Sequence, residues 1–106
     1  MITFDDFLKI DIRIGTIISA EPFPEVRKPA YKLTIDFGSL GVKRTSAQIT
    51  QRYALEDLPG KKIAAVVNFP PKQIANFMSE CLVLGAVNEE AVTLLECDGQ
   101  NGDRVA

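Results

Sequence analysis

The chain contains no histidine. That one absence removes Ser-His-Asp and Cys-His catalysis, imidazole general bases and histidine-ligated metal sites together. Cysteine is scarce too. Cys81 and Cys97 are too few for a disulfide framework, and their spacing fits no zinc pattern, so both read as reduced structural thiols. Long apolar runs are missing. The longest, Ile63–Val67 and Cys81–Val87, are far too short to insert in a membrane as a helix. The opening MITFDDFLK is acidic and has no apolar signal core, so a cytoplasmic protein is expected. Neither G-x-x-x-x-G-K-[ST] nor G-x-G-x-x-G occurs. The paired carboxylates Asp5/Asp6, Glu56/Asp57 and Glu89/Glu90 fall at cap and turn positions. No metal and no cofactor is called for, and an enzyme is not expected.

What is present fits one domain, residues 1–106. A length of 106 residues with 46% apolar side chains can bury a real core. The net charge of −2 hides an asymmetry: residues 1–26 carry −3, residues 27–72 carry +6 and residues 73–106 carry −5. Nine basic side chains in one stretch make an anionic partner the alternative to a merely solvated face.

The pattern along the chain is that of an all-β protein. Thr3 followed by Asp6 predicts a short helix over residues 3–9. "KIDIRIGTII" alternates, with Ile10, Ile12, Ile14 and Ile18 on one parity, and Gly15 inside it suggests a bulge or bend. "EPFPEVRKPA" holds three prolines and reads as a loop. "YKLTIDF" places Tyr31, Leu33, Ile35 and Phe37 on one face, Gly38 and Gly41 bracket a turn, and "VKRTSAQI" is the return strand. Thr50 is expected to cap a short helix to about Leu55. "KKIAAVVNF", "ECLVLGAV" and "AVTLLEC" are further strands, with a loop over residues 69–78 and a second bending point at Gly85.

A helix between the third and fourth strands favours the OB-fold, a five-stranded Greek-key barrel, here with short helices and terminal extensions. Such barrels bind ligands on strands 2 and 3 and on the loops joining strands 1–2 and 4–5. Those loops are residues 21–30 and 69–78. The basic stretch and the expected binding face therefore coincide.

"DIRIGTI", "PAYKLTIDFG", "SAQIT", "VVNFPPKQIANFMSECLVLGA" and "NGDRV" together resemble the stand-alone tRNA-binding domain family, whose members are also appended to methionyl- and phenylalanyl-tRNA synthetases. Within it the likeness is to the CsaA-type branch. The resemblance implies a homodimer, tRNA or tRNA-like RNA as partner without catalysis, and, for that branch, unfolded or pre-secretory polypeptides and the export machinery as alternative partners. Asn68, Pro71 and Lys72 match the family's "N-x-x-P-[KR]", Ser79-Glu80 its "S-[EQ]", and Ser46 its serine element. Lys28–Leu33 stands where the family carries "H-P-x-A-[DE]-x-L", and Cys81 stands for its usual methionine.

The roles of the candidate residues follow from their chemistry. Lys43, Arg44 and Lys72 can neutralise phosphates. Ser46, Gln48, Asn68 and Ser79 can bond a base edge or ribose hydroxyl, and Glu80 completes the family element. Phe69 or Phe77 can stack a base. Phe77 is the better placed by pattern, because it lies on a polar background between Asn76 and Ser79. As a peptide site, the same loops would instead form apolar pockets lined by Phe23, Phe69, Phe77 and Met78. Asn68 is expected to brace its loop. The apolar-dotted termini (Ile2, Phe4, Phe7, Val105) are expected to cover barrel edges across a two-fold axis.

Overall fold

The computed structural model describes all of residues 1–106. The chain enters through the short helix α1 (Phe4–Leu8). The Asp6 N–H donates to Thr3 Oγ1 at 3.2 Å, and the Thr3 N–H donates back to the Asp6 carboxylate at 3.0 Å. This reciprocal cap satisfies the Thr3 N–H and gives the Asp6 N–H a second acceptor beside the Thr3 carbonyl. The same bonds hold the Asp6 carboxyl below its ordinary value.

Strands β1 (Ile12–Pro22), β2 (Tyr31–Asp36) and β3 (Val42–Ala47) form an antiparallel meander. Strand β4 (Lys62–Val66) returns beside the first half of β1, and β7 (Leu82–Val83) joins β4. The order β3-β2-β1-β4-β7 rolls into a nearly closed five-stranded barrel, the OB-type arrangement that the pattern called for. Between β4 and β7 stand β5 (Lys72–Ile74) and β6 (Phe77–Ser79), a separate two-stranded ribbon. A hairpin of β8 (Gly85–Val87) and β9 (Val92–Leu94) follows.

The core obeys the alternation of β2. Leu33, Ile35 and Phe37 are fully buried and Tyr31 packs beside them. Ile17, Leu58 and Ile63 complete the interior. Each such side chain contributes roughly 1.5–3 kcal/mol through burial.

Strand β1 departs from the simple alternation. Its bulge lies at Ile18, between Ile17 and Ser19, and not at Gly15. Ordinary alternation before the bulge sends Ile17 into the core and Ile14 to the other face, packed against Gly99; Ile18 is exposed, and beyond it the shifted phase brings Ala20 against the core. Gly15 has a different task. A Cβ there would stand 2.6 Å from Ile35 and 2.8 Å from Phe37, so glycine lets two strands of a tightly curved sheet meet. Gly85 is alike, since its Cβ would meet Val92 at 2.5 Å.

Other boundaries also move. No α-helix forms over residues 50–55. A 3-10 turn at Leu55–Asp57 takes its place, because the Asp57 carboxylate accepts the Ala54 N–H at 3.2 Å and starts the turn there. Residues 69–78 are not an open loop, since β5 and most of β6 lie within them. The C-terminal tail covers the free edge of β1 within the same chain: Gly102 donates to the Ile14 carbonyl at 2.8 Å and Val105 to that of Ile12 at 2.9 Å. The N-terminal residues Ile2, Phe4, Leu8 and Ile10 stay exposed.

Candidate functional site

The barrel closes along a seam between β3 and residues 79–81. Thr45 is buried, and its hydroxyl donates to the Cys81 carbonyl at 2.6 Å. Having one proton, it then accepts from the Ser79 hydroxyl at 3.0 Å, and Ser79 Oγ in turn accepts the Ser46 N–H at 3.3 Å. One residue along, the Arg44 N–H donates to the Glu80 carboxylate at 2.9 Å and the Glu80 N–H to the Arg44 carbonyl at 2.8 Å. Ser79 and Glu80 thus have structural work: they replace the backbone ladder where the two strands diverge.

Asn68 has the bracing role expected of it. Its carbonyl accepts the Asp11 N–H at 3.0 Å and its amide donates to the Lys9 carbonyl at 2.8 Å. The bend after β4 is tied to the segment before β1.

Beside the seam runs a groove of about 760 Å³, between the end of β3, the ribbon and the β7–β9 region. It brings together Ser46, Gln48, Lys72 and Ser79 with Phe69. The Ser46 hydroxyl, the Gln48 amide and the Lys72 ammonium make no hydrogen bond or ion pair within the chain. The floor is apolar, built from Ile49, Leu82, Leu84 and Val92. A smaller recess of about 320 Å³ shares Ser46, Gln48 and Ile74 and continues the groove to Arg27 and Lys28 in the proline-rich loop. Lys43, Arg44, Asn68 and Glu80 do not line either space.

The two phenylalanines exchange the positions that pattern suggested. Phe69 is 54% exposed on the groove wall, and Phe77 is 5% exposed. Phe77 packs edge-on against Phe23, ring centroids 5.4 Å apart, and with Ala30 they form a second small core. The ribbon explains the reversal. Phe77 pairs with Ile74 across it, and the ribbon folds this end against β3 and the proline-rich loop. The open ring for a ligand is that of Phe69. An aromatic ahead of Pro70-Pro71, where no strand can continue, was the available signal. Met78 is also exposed, but it does not line the groove. Arg27 and Lys28 were not singled out as ligand residues by sequence, and their signal was the basic run itself.

Burial pushes the Cys81 thiol up to about 11, against partial relief from the Thr45 hydroxyl. Cys97 is also raised, by burial first and then by Asp98. Both thiols are free and neither is poised as a nucleophile.

The fold matches known proteins along the whole chain. The tRNA binding domain family model matches residues 12–104. The chain belongs to that family. Among solved structures it is similar to the CsaA chaperone protein of Picrophilus torridus, at 58% identity and a TM-score of 0.96, with 100% of both chains covered. It is similar as well to the chaperone CsaA of Bacillus anthracis, at 54% identity and a TM-score of 0.93, covering 100% of this chain and 99% of that one. Among curated proteins, the methionine–tRNA ligase of Porphyromonas gingivalis is 39% identical over 85 residues, which is 80% of this chain but 12% of the ligase. The chain therefore corresponds to a small part of such a ligase. The departures at Lys28–Leu33 and Cys81 are absorbed by this fold: Ala30 and Cys81 are both buried.

Proposed function

We propose that this chain is a non-catalytic, cytoplasmic homodimer that binds tRNA or a tRNA-like RNA in the groove beside the barrel seam. The observation that carries the reading is the meeting of three unengaged polar groups, on Ser46, Gln48 and Lys72, with the exposed ring of Phe69. Single-stranded RNA asks for those groups: a stacking face, hydrogen bonds for a base edge or ribose hydroxyl, and cations for the backbone. Arg27 and Lys28 extend the cationic rim along the groove. Family membership supports the same ligand class. The exposed apolar side chains of α1 and its flanks support pairing of two copies there.

The test is a titration with unfractionated tRNA over a salt series. Binding weakens as salt rises, with a log–log slope near −0.7 per phosphate contact for single strands. Gln48→Ala and Lys72→Glu weaken it. A salt-independent affinity, or unchanged binding in both variants, rejects the reading. Sedimentation at micromolar concentration tests the dimer, and a monomer there rejects it.

The apolar floor of the groove supports a second reading. Ile49, Leu82, Leu84 and Val92 would take side chains of an unfolded polypeptide, and such a protein could pass pre-secretory chains to the export machinery. The two similar solved proteins are described as chaperones. Competition between tRNA and a reduced, unfolded polypeptide for one groove separates the readings.

A further inference from the structure

On the outer face of the sheet, Lys32 and Arg44 hold their charges over buried aromatic rings. Lys32 stands opposite Ser46, and Arg44 opposite Thr34, so the two cations are diagonal neighbours on one face of β2 and β3. The Lys32 ammonium lies 4.8 Å from the centre of the Phe23 ring and 5.5 Å from that of Phe77. The Arg44 guanidinium lies 4.8 Å from the centre of the Phe77 ring. Two carboxylates are nearby: that of Glu80 is held by the Arg44 backbone N–H at 2.9 Å. Glu21 faces Lys32 across β1 and β2 and reaches Arg44 at 3.5 Å, an exposed and loose pairing. Lys32 has no carboxylate within ion-pair distance.

Cations held over ring faces are oriented without being neutralised, because the attraction is to the ring's quadrupole and leaves the N–H donors free. The arrangement therefore differs from an ordinary surface ion pair. Two cations on one face of the sheet share the Phe77 ring, and Glu21 is the one carboxylate paired with the Arg44 side chain.

We propose that Lys32 and Arg44 form a clamp for one phosphodiester group of a bound RNA, that Phe77 and Phe23 are its positioning residues, and that the phosphate displaces Glu21 from Arg44. This rests on the RNA reading of the adjoining groove, which Ser46 joins to the clamp: its side chain lies between them, opposite Lys32. A phosphate fits better than a peptide carboxylate. Each has two free oxygens, but those of a phosphodiester are spread tetrahedrally, which suits a guanidinium fork paired with an ammonium.

The experiment is tRNA binding across a salt series by wild type, Lys32→Ala, Lys32→Arg, Glu21→Gln, Phe77→Leu and Lys72→Ala, each checked for folding by circular dichroism. Lys32→Ala should lower affinity about tenfold, the scale of one charged hydrogen bond, and cut the salt slope by about 0.7. Lys32→Arg should restore both. Glu21→Gln should bind several-fold tighter, because the competing anion is gone. Phe77→Leu should lower affinity and erase the ring-current shifts of the Arg44 side-chain protons, while Lys32 keeps those from Phe23, a signature that mere loss of stability does not produce. Should Phe77→Leu not fold, the Lys32 and Glu21 variants decide alone. Lys32→Ala and Glu21→Gln both behaving as wild type, while Lys72→Ala loses affinity, overturns the clamp and leaves the groove reading standing. Equal competition by polyglutamate overturns its phosphate character. A wild-type chain that does not hold tRNA at low salt overturns both.

Discussion

The hydroxyl of Thr45 and the carbonyl of Cys81, 36 residues apart, meet at 2.6 Å inside the protein and close the barrel. A side chain does the work of a ladder amide at the point where two strands part. Thr45→Val keeps the shape, removes the donor, and leaves the Cys81 carbonyl and Ser79 hydroxyl short of a partner. The expected cost is about 1–3 kcal/mol. Urea unfolding should show a lower midpoint at unchanged slope, and Thr45→Ser should recover most of it. Wild-type stability in Thr45→Val would show that the seam is held elsewhere.

Phe69 and Phe77 should separate binding from folding. Phe69→Ala removes an exposed ring, so stability should change by less than about 0.5 kcal/mol. RNA affinity should fall on the order of 1–3 kcal/mol if that ring stacks a base. Phe77→Ala opens a hole between Phe23 and Ala30 and should cost roughly 3 kcal/mol of stability. Thermal melts with paired titrations measure both. Full RNA affinity in Phe69→Ala would remove it from the site.

The turn of the ribbon carries a residue that its backbone does not suit. Ala75 adopts φ +53°, a left-handed conformation that costs an L-residue roughly 1–2 kcal/mol. Ala75→Gly relieves this but frees the unfolded chain by about 0.5–1 kcal/mol. The net expectation is a gain below about 1 kcal/mol, while Ala75→Val should destabilise. Equal melting temperatures for glycine and valine variants would contradict it.

The thiols should differ in reach. Cys97, partly exposed, should react first with iodoacetamide near neutral pH, and Cys81 only on unfolding. Since Cys81 is raised from 9.0 to about 11 in the folded chain, it binds its proton more tightly there than when unfolded. Its contribution to stability is then complete below pH 9 and lost as pH climbs toward 11. Cys81→Ala should flatten that alkaline loss. An unaltered pH profile in the variant would assign the loss to other groups.

Much of this protein was legible in its residues. The alternation of Tyr31, Leu33, Ile35 and Phe37 named the core face of β2 outright, because a strand's side-chain period is fixed by its backbone. Thr3 and Asp6 named the helix start, since a capping box is a local bargain between two neighbours. The motifs around Asn68, Lys72 and Ser79-Glu80 pointed to the family that the comparisons bear out.

What the residues could not decide were the meetings of distant segments. The β1 bulge fell at Ile18, where the register against β2 shifts, and no local signal records the register of a distant partner. Gly15 looked like a bulge or bend and proved to be a gap left for Ile35 and Phe37. Phe77 looked exposed among polar neighbours, yet the ribbon folds it onto Phe23 and leaves Phe69 open instead. Burial is a property of what a strand is folded against, so for these two rings only the tertiary structure could say which one stays exposed and which one holds the fold.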